Sequence, residues 1–209
     1  MNRYDPLTSP SLILKVRDAN DSDSWETFER VYAPVIRIYC RRRGIQEADV
    51  DDLVQDVMAS VSNAIRNFDY DPSRGKFRSW FGTITANRVK TFFAKSTNKA
   101  NGGPFFPDSS VLQKLSDRKA DSEWNEVFCQ EVLRSACERV CPNFEKSTWL
   151  SFEMTWLNNQ PAAEVALILG LPIHTVYVNK SRVLKQLEAE VRALADDFLL
   201  PDIHTNGDS

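Results

Sequence analysis

The sequence lacks long hydrophobic runs and has few of the residues that build metal sites or disulfide bridges. No stretch approaches eighteen consecutive apolar residues, so the sequence predicts no membrane-spanning helix. The 209-residue chain has four cysteines, with no CxxC pair and no histidine near any of them. Its N-terminus also lacks a secretory cleavage pattern. These absences predict a cytoplasmic protein with reduced cysteines, no cofactor and no bound metal.

One pair of cysteines has a second interpretation. Cys137 and Cys141 are four residues apart and would share one face of a helix, which is the spacing of half a metal site. The simpler interpretation is that the four cysteines act as small apolar residues in a reducing compartment, and we prefer it.

The sequence also lacks strand patterns, because no apolar–polar alternation lasts more than a few residues. Helical periodicity runs nearly throughout, apart from a stretch rich in glycine, proline and polar residues after position 95. We therefore predict an all-α fold with two helical domains, a helical bundle and a C-terminal helix-turn-helix domain, joined by a flexible linker. The predicted segments are an N-terminal segment 1–23, a first domain 24–95, a linker 96–125, a second domain 126–197 and a disordered tail 198–209.

Two short signals concern the start of the first domain. Asp23, with Glu26 three residues later, predicts a capping box that opens the first long helix. The apolar triplet at 12–14 predicts a short helix that packs on this domain.

Charge is distributed unevenly along the first domain, although the net charge of the chain is only −3. From Glu47 to Asp56 there are five acidic residues and no basic one. From Pro72 to Lys99 there are seven basic residues and no acidic one. Two neighbouring segments of opposite sign favour two different partners.

The basic segment includes RGKFRSWFGTITANRVKTFFAK, residues 74–95, which also carries five large aromatic residues. Cations together with flat apolar rings are what a protein needs to hold single-stranded nucleic acid. The helical spacing of Trp80, Phe81 and Ile84 favours packing instead, and we assign Trp80 and Phe81 mainly to the core. Phe77 fits either role.

The segment QPAAEVALILGLPIHTVYVNKSRVLKQLEAEV, residues 160–191, has the pattern of a helix-turn-helix. Pro161 suits a helix start, Gly170 suits the turn, and Pro172 prevents the first helix from continuing. In a DNA-binding unit of this kind, the start of the second helix enters the major groove. The candidate DNA-reading residues are His174, Thr175, Tyr177, Val178, Ser181 and Arg182. The residues expected to face inward are Ile173, Val176, Val183, Leu184 and Leu187. A plain helical hairpin is the alternative.

The acidic segment places Asp49, Asp52 and Asp56 on one helix face, with Gln55 beside them. Three carboxylates at this spacing are compatible with a divalent ion. No histidine and no phosphate-binding glycine loop accompanies them, and acidic residues near a helix start also stabilise the helix dipole.

DDLVQDV at 51–57, FDYDPSRGKFRSWFGTITANRV at 68–89 and the C-terminal helix-turn-helix together resemble the sigma-70 family of RNA polymerase sigma factors, in its extracytoplasmic-function (ECF) form. The resemblance covers about 24–95 and 126–195. It implies a non-enzymatic factor that binds core RNA polymerase, recognises the −35 and −10 promoter elements and melts DNA. The implied partners are the β′ clamp helices and β flap of the polymerase, promoter DNA and, in similar proteins, an anti-sigma factor.

The resemblance also implies roles for individual residues. The residues implied to bind core polymerase are Asp49, Asp52, Leu53, Gln55 and Asp56. The residues implied to bind the −10 element are Phe68, Tyr70, Arg74, Lys76, Asn87, Arg88, Lys90, Thr91 and Lys95; Phe68, Tyr70 and Asn87 would hold a flipped base. The helix-turn-helix residues named above would read the −35 element.

Two other functions compete with this interpretation. A stand-alone helix-turn-helix regulator that binds DNA as a dimer would explain 160–191, but it leaves the acidic and basic segments without a role. A metal-dependent phosphoryl-transfer enzyme would use Asp49, Asp52 and Asp56.

Overall fold

The structure is a computed structural model that describes residues 12–18, 20–66, 68, 77–101 and 118–195. For 96–101 and 118–121 it describes the backbone alone. Several sequence predictions therefore lie outside the described residues: most of the linker, the tail, and the N-terminal segment up to residue 11.

The described residues are helical and contain no strand, which confirms the all-α prediction. The helices are α1 (Leu12–Lys15), α2 (Ser22–Arg42), α3 (Glu47–Ile65), α4 (Phe77–Asn101), α5 (Arg118–Val140), α6 (Lys146–Phe152), α7 (Ala162–Leu169) and α8 (Ile173–Leu194). A 3₁₀ turn, Cys141–Asn143, follows α5, and a π-helical turn, Glu153–Leu157, extends α6.

Helix α2 begins with a cap at Asp21, so the capping box predicted at Asp23 is wrong. The Asp21 carboxylate accepts hydrogen bonds from the Ser24 hydroxyl at 2.7 Å and from the Ser24 backbone N–H at 3.0 Å. These hydrogen bonds hold the pKa of the Asp21 carboxyl below its usual value. Both aspartates suit a cap by residue type, and the sequence did not show which one lies at the first turn.

The chain divides into two compact units, and the boundary lies after Val132. We call described residues 12–132 the first unit and 133–195 the second unit. The core of the first unit is formed by α2, α3 and α4. Its aromatic centre is Phe28, Tyr32, Phe77 and Phe81, each buried completely. The short helix α1 adds buried Leu12 and Ile13, as the apolar triplet predicted.

Helix α5 begins at Arg118, inside the predicted linker, and its first half belongs to the first unit. Trp124 packs against Tyr39 and Phe81 with ring-centre distances of 5.1 and 5.2 Å. Phe128 stacks on Tyr32 at 5.5 Å. The unit boundary therefore lies later than residue 126, where the second domain was predicted to start. The ends of α4 and α5 are polar, so the apolar periodicity of the sequence does not predict the full length of either helix.

The second unit contains the predicted helix-turn-helix, formed by α7 and α8. Gly170 joins them in the left-handed conformation, with φ of 64°, which glycine adopts without strain. Val165, Ala166 and Val176 are buried in the angle between the two helices. No single helix in the described part of the chain is long and apolar enough to cross a membrane, and α7 with α8 meets that test only as a pair bent by 103°. This bend lies in the range of helix-turn-helix units.

Candidate functional surfaces

The outward face of α3 carries the predicted acidic surface. Asp52, Gln55 and Asp56 are exposed, and Asp49 is half-buried. Leu53 differs from them, because it is buried in the core with a 3% exposed side chain. The prediction that Leu53 contacts polymerase is corrected, since the helix periodicity that exposes Asp52 turns the next residue inward.

Two other acidic residues of this segment are paired within the first unit. Arg41 donates a hydrogen bond to the Glu47 carboxylate at 2.8 Å, and Arg37 pairs with Asp51. The hydrogen bond from Arg41 lowers the pKa of the Glu47 carboxyl and raises that of the guanidinium. The basic end of α2 therefore neutralises one edge of α3. Asp52 and Asp56 form no ion pair with described residues, so they carry the net negative charge of the face.

The acidic face does not form a metal site. Among the residues that the structure describes, no group of three or more histidine, cysteine, aspartate or glutamate side chains is placed to hold a metal ion. This finding gives the phosphoryl-transfer hypothesis no support. Cys137 and Cys141 are part-exposed, and burial raises the pKa of the Cys137 thiol to about 11, which disfavours the thiolate that a metal requires.

The aromatic residues of α4 are divided between the core and the surface. Phe77 and Phe81 are buried completely, and their rings stack on each other with centres 5.7 Å apart. Phe77 is thus a core residue, which decides between the two roles that the sequence allowed. Trp80 is half-buried and lies against Phe68 at 4.4 Å. Phe68 is the predicted base-holding ring that the structure describes, and it contacts the rings of both Trp80 and Phe77.

The opposite side of α4 is polar and cationic. Asn87, Arg88, Thr91 and Lys95 are exposed, and Lys90 is half-buried. The Thr91 hydroxyl donates a hydrogen bond to the backbone carbonyl of Asn87 at 2.9 Å. This bond uses the backbone of Asn87 and not its side-chain amide. Asn87, Thr91 and Lys95 follow one another at four-residue intervals and therefore line one face. Tyr70, Arg74 and Lys76, the other predicted −10 residues, lie outside the described residues.

Helix α5 covers a third side of α4, and the sequence did not predict this contact. Trp124 Nε1 donates a hydrogen bond to the backbone carbonyl of Arg78 at 2.9 Å. The indole also lies over Gly82, where a Cβ atom would approach Trp124 Nε1 to 2.7 Å. The Arg78 guanidinium contacts Cys129 Sγ at 3.3 Å. Arg78 and Gly82 therefore serve the packing of α5, whereas the Asn87 side of α4 is exposed.

The outward face of α8 contains the predicted DNA-reading residues. His174, Tyr177, Val178, Ser181 and Arg182 are exposed. Thr175 is half-buried, and its hydroxyl lies 3.3 Å from His174 Nε2. The structure thus brings the six predicted residues together on the first half of one helix.

The inward face of α8 differs from the prediction at two positions. Ile173 is 45% exposed and does not belong to the inward set, whereas Val176, Val183, Leu184 and Leu187 are buried as predicted. Asn179 is buried instead, and its Nδ2 donates a hydrogen bond to Ser151 Oγ on α6 at 3.2 Å. The i, i+3 spacing from Val176 would have found this position, but a polar residue gives no apolar signal.

Comparisons with known proteins place the chain near one family of transcription factors. Residues 28–99 match the family model for sigma-70 region 2. Over 179 residues the chain is 24% identical to the ECF RNA polymerase sigma factor RpoE of Cereibacter sphaeroides, an alignment that spans 85% of this chain and 90% of that protein. The solved structure of CnrH in complex with the cytosolic domain of CnrY is 20% identical and spans 87% of this chain and 96% of that one, with a TM-score of 0.34.

The matched region 2 contains all of α3 and nearly all of α4, the two helices with the acidic and the basic surface. Residues 28–99 therefore resemble sigma-70 region 2, and most of the chain is similar to an ECF RNA polymerase sigma factor, which is the family that the motifs indicated.

Proposed function

We propose that this chain binds core RNA polymerase and directs promoter-specific initiation, reading the −35 and −10 elements and melting DNA. One observation carries the proposal: within the unit that matches sigma-70 region 2, an unpaired acidic face on α3 lies next in sequence to a cationic, acid-free face on α4. No catalytic step is assigned to the chain.

The acidic face of α3 is the proposed contact with the β′ clamp helices of the polymerase. Asp52 and Asp56 are exposed on a helix whose opposite side is packed in the core, so the face is held rigidly. A preorganised charged face loses little conformational entropy on binding. The neutralised Glu47 and Asp51 would contribute less to this contact, because each already has an arginine partner.

The cationic face of α4 is the proposed contact with the −10 strand. Arg88 and Lys95 would neutralise phosphates, while the Asn87 amide has the donors and acceptor to bind a base edge. Phe68, backed by Trp80, would offer a ring to an unstacked base. Base–aromatic stacking contributes about 1–3 kcal/mol per base, which is comparable with the few kcal/mol that extrusion costs.

The net charge of the chain supports a sequence in which the chain binds the polymerase first and promoter DNA second. A net charge of −3 repels free DNA at long range, so the isolated chain should bind promoters weakly. Docking on the polymerase through α3 would cover the acidic face and leave the DNA-binding faces of α4 and α8 in place.

The test is co-purification of the chain with bacterial core RNA polymerase, followed by run-off transcription on a mixed promoter library. We expect stable binding and new, defined start sites. Asp52→Arg should abolish polymerase binding, because it reverses the charge at the centre of the acidic face. Glu29→Arg is the matched control, since Glu29 is exposed on α2 of the same unit and the charge change is identical.

Three results would count against the proposal. Wild-type chain that fails to bind core polymerase but binds duplex DNA specifically as a dimer would favour the stand-alone regulator. Equal loss of binding in both charge-reversed variants would remove α3 as the contact. Tight promoter-specific binding by the isolated chain at physiological salt would contradict the proposed order of events.

A further inference from the structure

The DNA-reading face of α8 is unusually apolar for a surface that should meet a polyanion. Tyr177 and Val178 are 55% and 53% exposed, and Ile173, one turn earlier, is 45% exposed. These side chains are not needed for the fold, because the inward face of α8 has its own buried residues. Their exposure therefore calls for a ligand with an apolar feature.

The charges around this patch point to nucleic acid and not to a purely apolar partner. From Val165 to Leu187 the sequence has no acidic residue and three basic ones, Lys180, Arg182 and Lys185. From Ile173 to Lys185 the exposed residues of α8 form two rows at four-residue spacing. The first row is Ile173, Tyr177, Ser181 and Lys185, and the second is His174, Val178 and Arg182. In the first row Ile173 and Tyr177 precede Lys185, and in the second row Val178 precedes Arg182.

In a helix-turn-helix, the first residues of the second helix face the base edges, and sequence is read there. Valine has no hydrogen-bonding side-chain atom, so it cannot recognise the donors and acceptors of a base. The apolar feature on a major-groove edge is the C5-methyl group of thymine. The cations further along the helix are placed beyond the apolar residues, towards the phosphate backbone.

We infer that Tyr177 and Val178 read the promoter by packing on thymine methyl groups in the −35 element, while Arg182 and Lys185 contact phosphates. This inference rests on the proposed function, because it takes α8 as the helix that reads the −35 element. It assigns the base specificity to apolar contacts and gives Arg182 a phosphate contact instead of a base contact.

The test uses the reconstituted holoenzyme, core polymerase plus the full chain, and duplex promoters selected from a library with a randomised −35 element. Each thymine of the selected element is then replaced in turn by deoxyuridine, which deletes the methyl group alone. We expect the selected elements to contain thymine at neighbouring positions. At one of them or more, loss of the methyl should weaken promoter binding about fourfold, the effect expected for one buried methyl-sized group.

One variant tests whether Val178 contacts the thymine methyl group, and a second variant is its control. Val178→Thr keeps the shape of the side chain and replaces one methyl by a hydroxyl, so the thymine-to-deoxyuridine affinity ratio at its position should fall towards one. Leu167→Thr is the control, because Leu167 is 84% exposed on α7 and lies outside the two rows of α8. It should leave every ratio unchanged. Both positions are exposed, and thermal unfolding of each variant checks that the fold is kept.

The outcomes separate this inference from the proposed function. If the wild-type holoenzyme requires a −35 element but ignores deoxyuridine at every position, the inference is overturned and the proposed function stands. If Val178→Thr lowers affinity for core polymerase and leaves the deoxyuridine ratios intact, the apolar face docks on protein and the inference is wrong. If the chain gives no promoter-specific transcription, both fail.

Discussion

Helices α4 and α8 are the two proposed DNA-binding helices, and they arrange the same kinds of residue in opposite ways. On α4, Phe77 and Phe81 point into the core, and the outward face at Asn87, Arg88 and Lys95 is polar and cationic. On α8, the inward face is aliphatic, and Tyr177 and Val178 stand on the outside. An aromatic residue in a basic helix is therefore not by itself a sign of base stacking.

The difference follows from what each helix packs against. Helix α4 lies in a core with other aromatic rings, Phe28 and Tyr32, which its own rings contact at about 5.4 to 6.3 Å between centres. Helix α8 packs on α6 and α7 through valine and leucine side chains, and Tyr177 lies on the exposed side of the helix. The residues that each helix exposes are therefore those that its packing does not bury.

The largest expected difference is in stability, when one aromatic residue on each helix is replaced by alanine. Phe81→Ala should lower the free energy of unfolding of the first unit by about 3–5 kcal/mol, because the side chain is buried completely and leaves a cavity. Tyr177→Ala should change stability by less than about 0.5 kcal/mol, since the ring is exposed. Chemical denaturation of the full chain measures both. Similar losses in the two variants would remove the distinction between the helices.

A smaller effect is expected from the side of α4 that α5 covers. Gly82→Ala should destabilise the first unit by about 1–3 kcal/mol, because the new methyl would meet the Trp124 indole at 2.7 Å. In an open helix the same change would stabilise by roughly 0.5–1 kcal/mol, so the sign of the effect is informative. In a Trp124→Ala background the substitution should become neutral or stabilising. A stabilising effect in the wild-type background would show that α5 does not pack here.

The smallest effect concerns how each helix responds to salt. Lys95→Ala on α4 should reduce the slope of log affinity against log salt by about one, because one phosphate contact is lost. Val178→Thr on α8 should leave the slope unchanged while it alters base preference, since an apolar contact releases no counterion. Holoenzyme binding to one promoter at several salt concentrations measures both slopes. A lower slope for Val178→Thr would mean that α8 also works chiefly through charge.

Much of this arrangement was readable from the sequence. The helices, the turn at Gly170, the buried stripe of α3 and the exposure of Asp52 and Asp56 all followed from apolar period and from the φ that glycine permits. Three of the errors have one origin. Asp21 was missed as a cap, Asn179 was missed as a buried residue and Ile173 was placed inside, because polar or terminal positions give no reliable periodic signal.

The sequence by itself determined the class of fold, the resemblance to sigma-70 factors and the sign of charge on each helix, because these depend on residue type and spacing along one element. Only the tertiary structure decided which charges and rings are available. It paired Glu47 and Asp51 with arginines of α2, buried Phe77, and laid Trp124 of α5 over Gly82. These contacts join residues from separate helices, and no periodicity within one helix specifies which side of it another helix will cover.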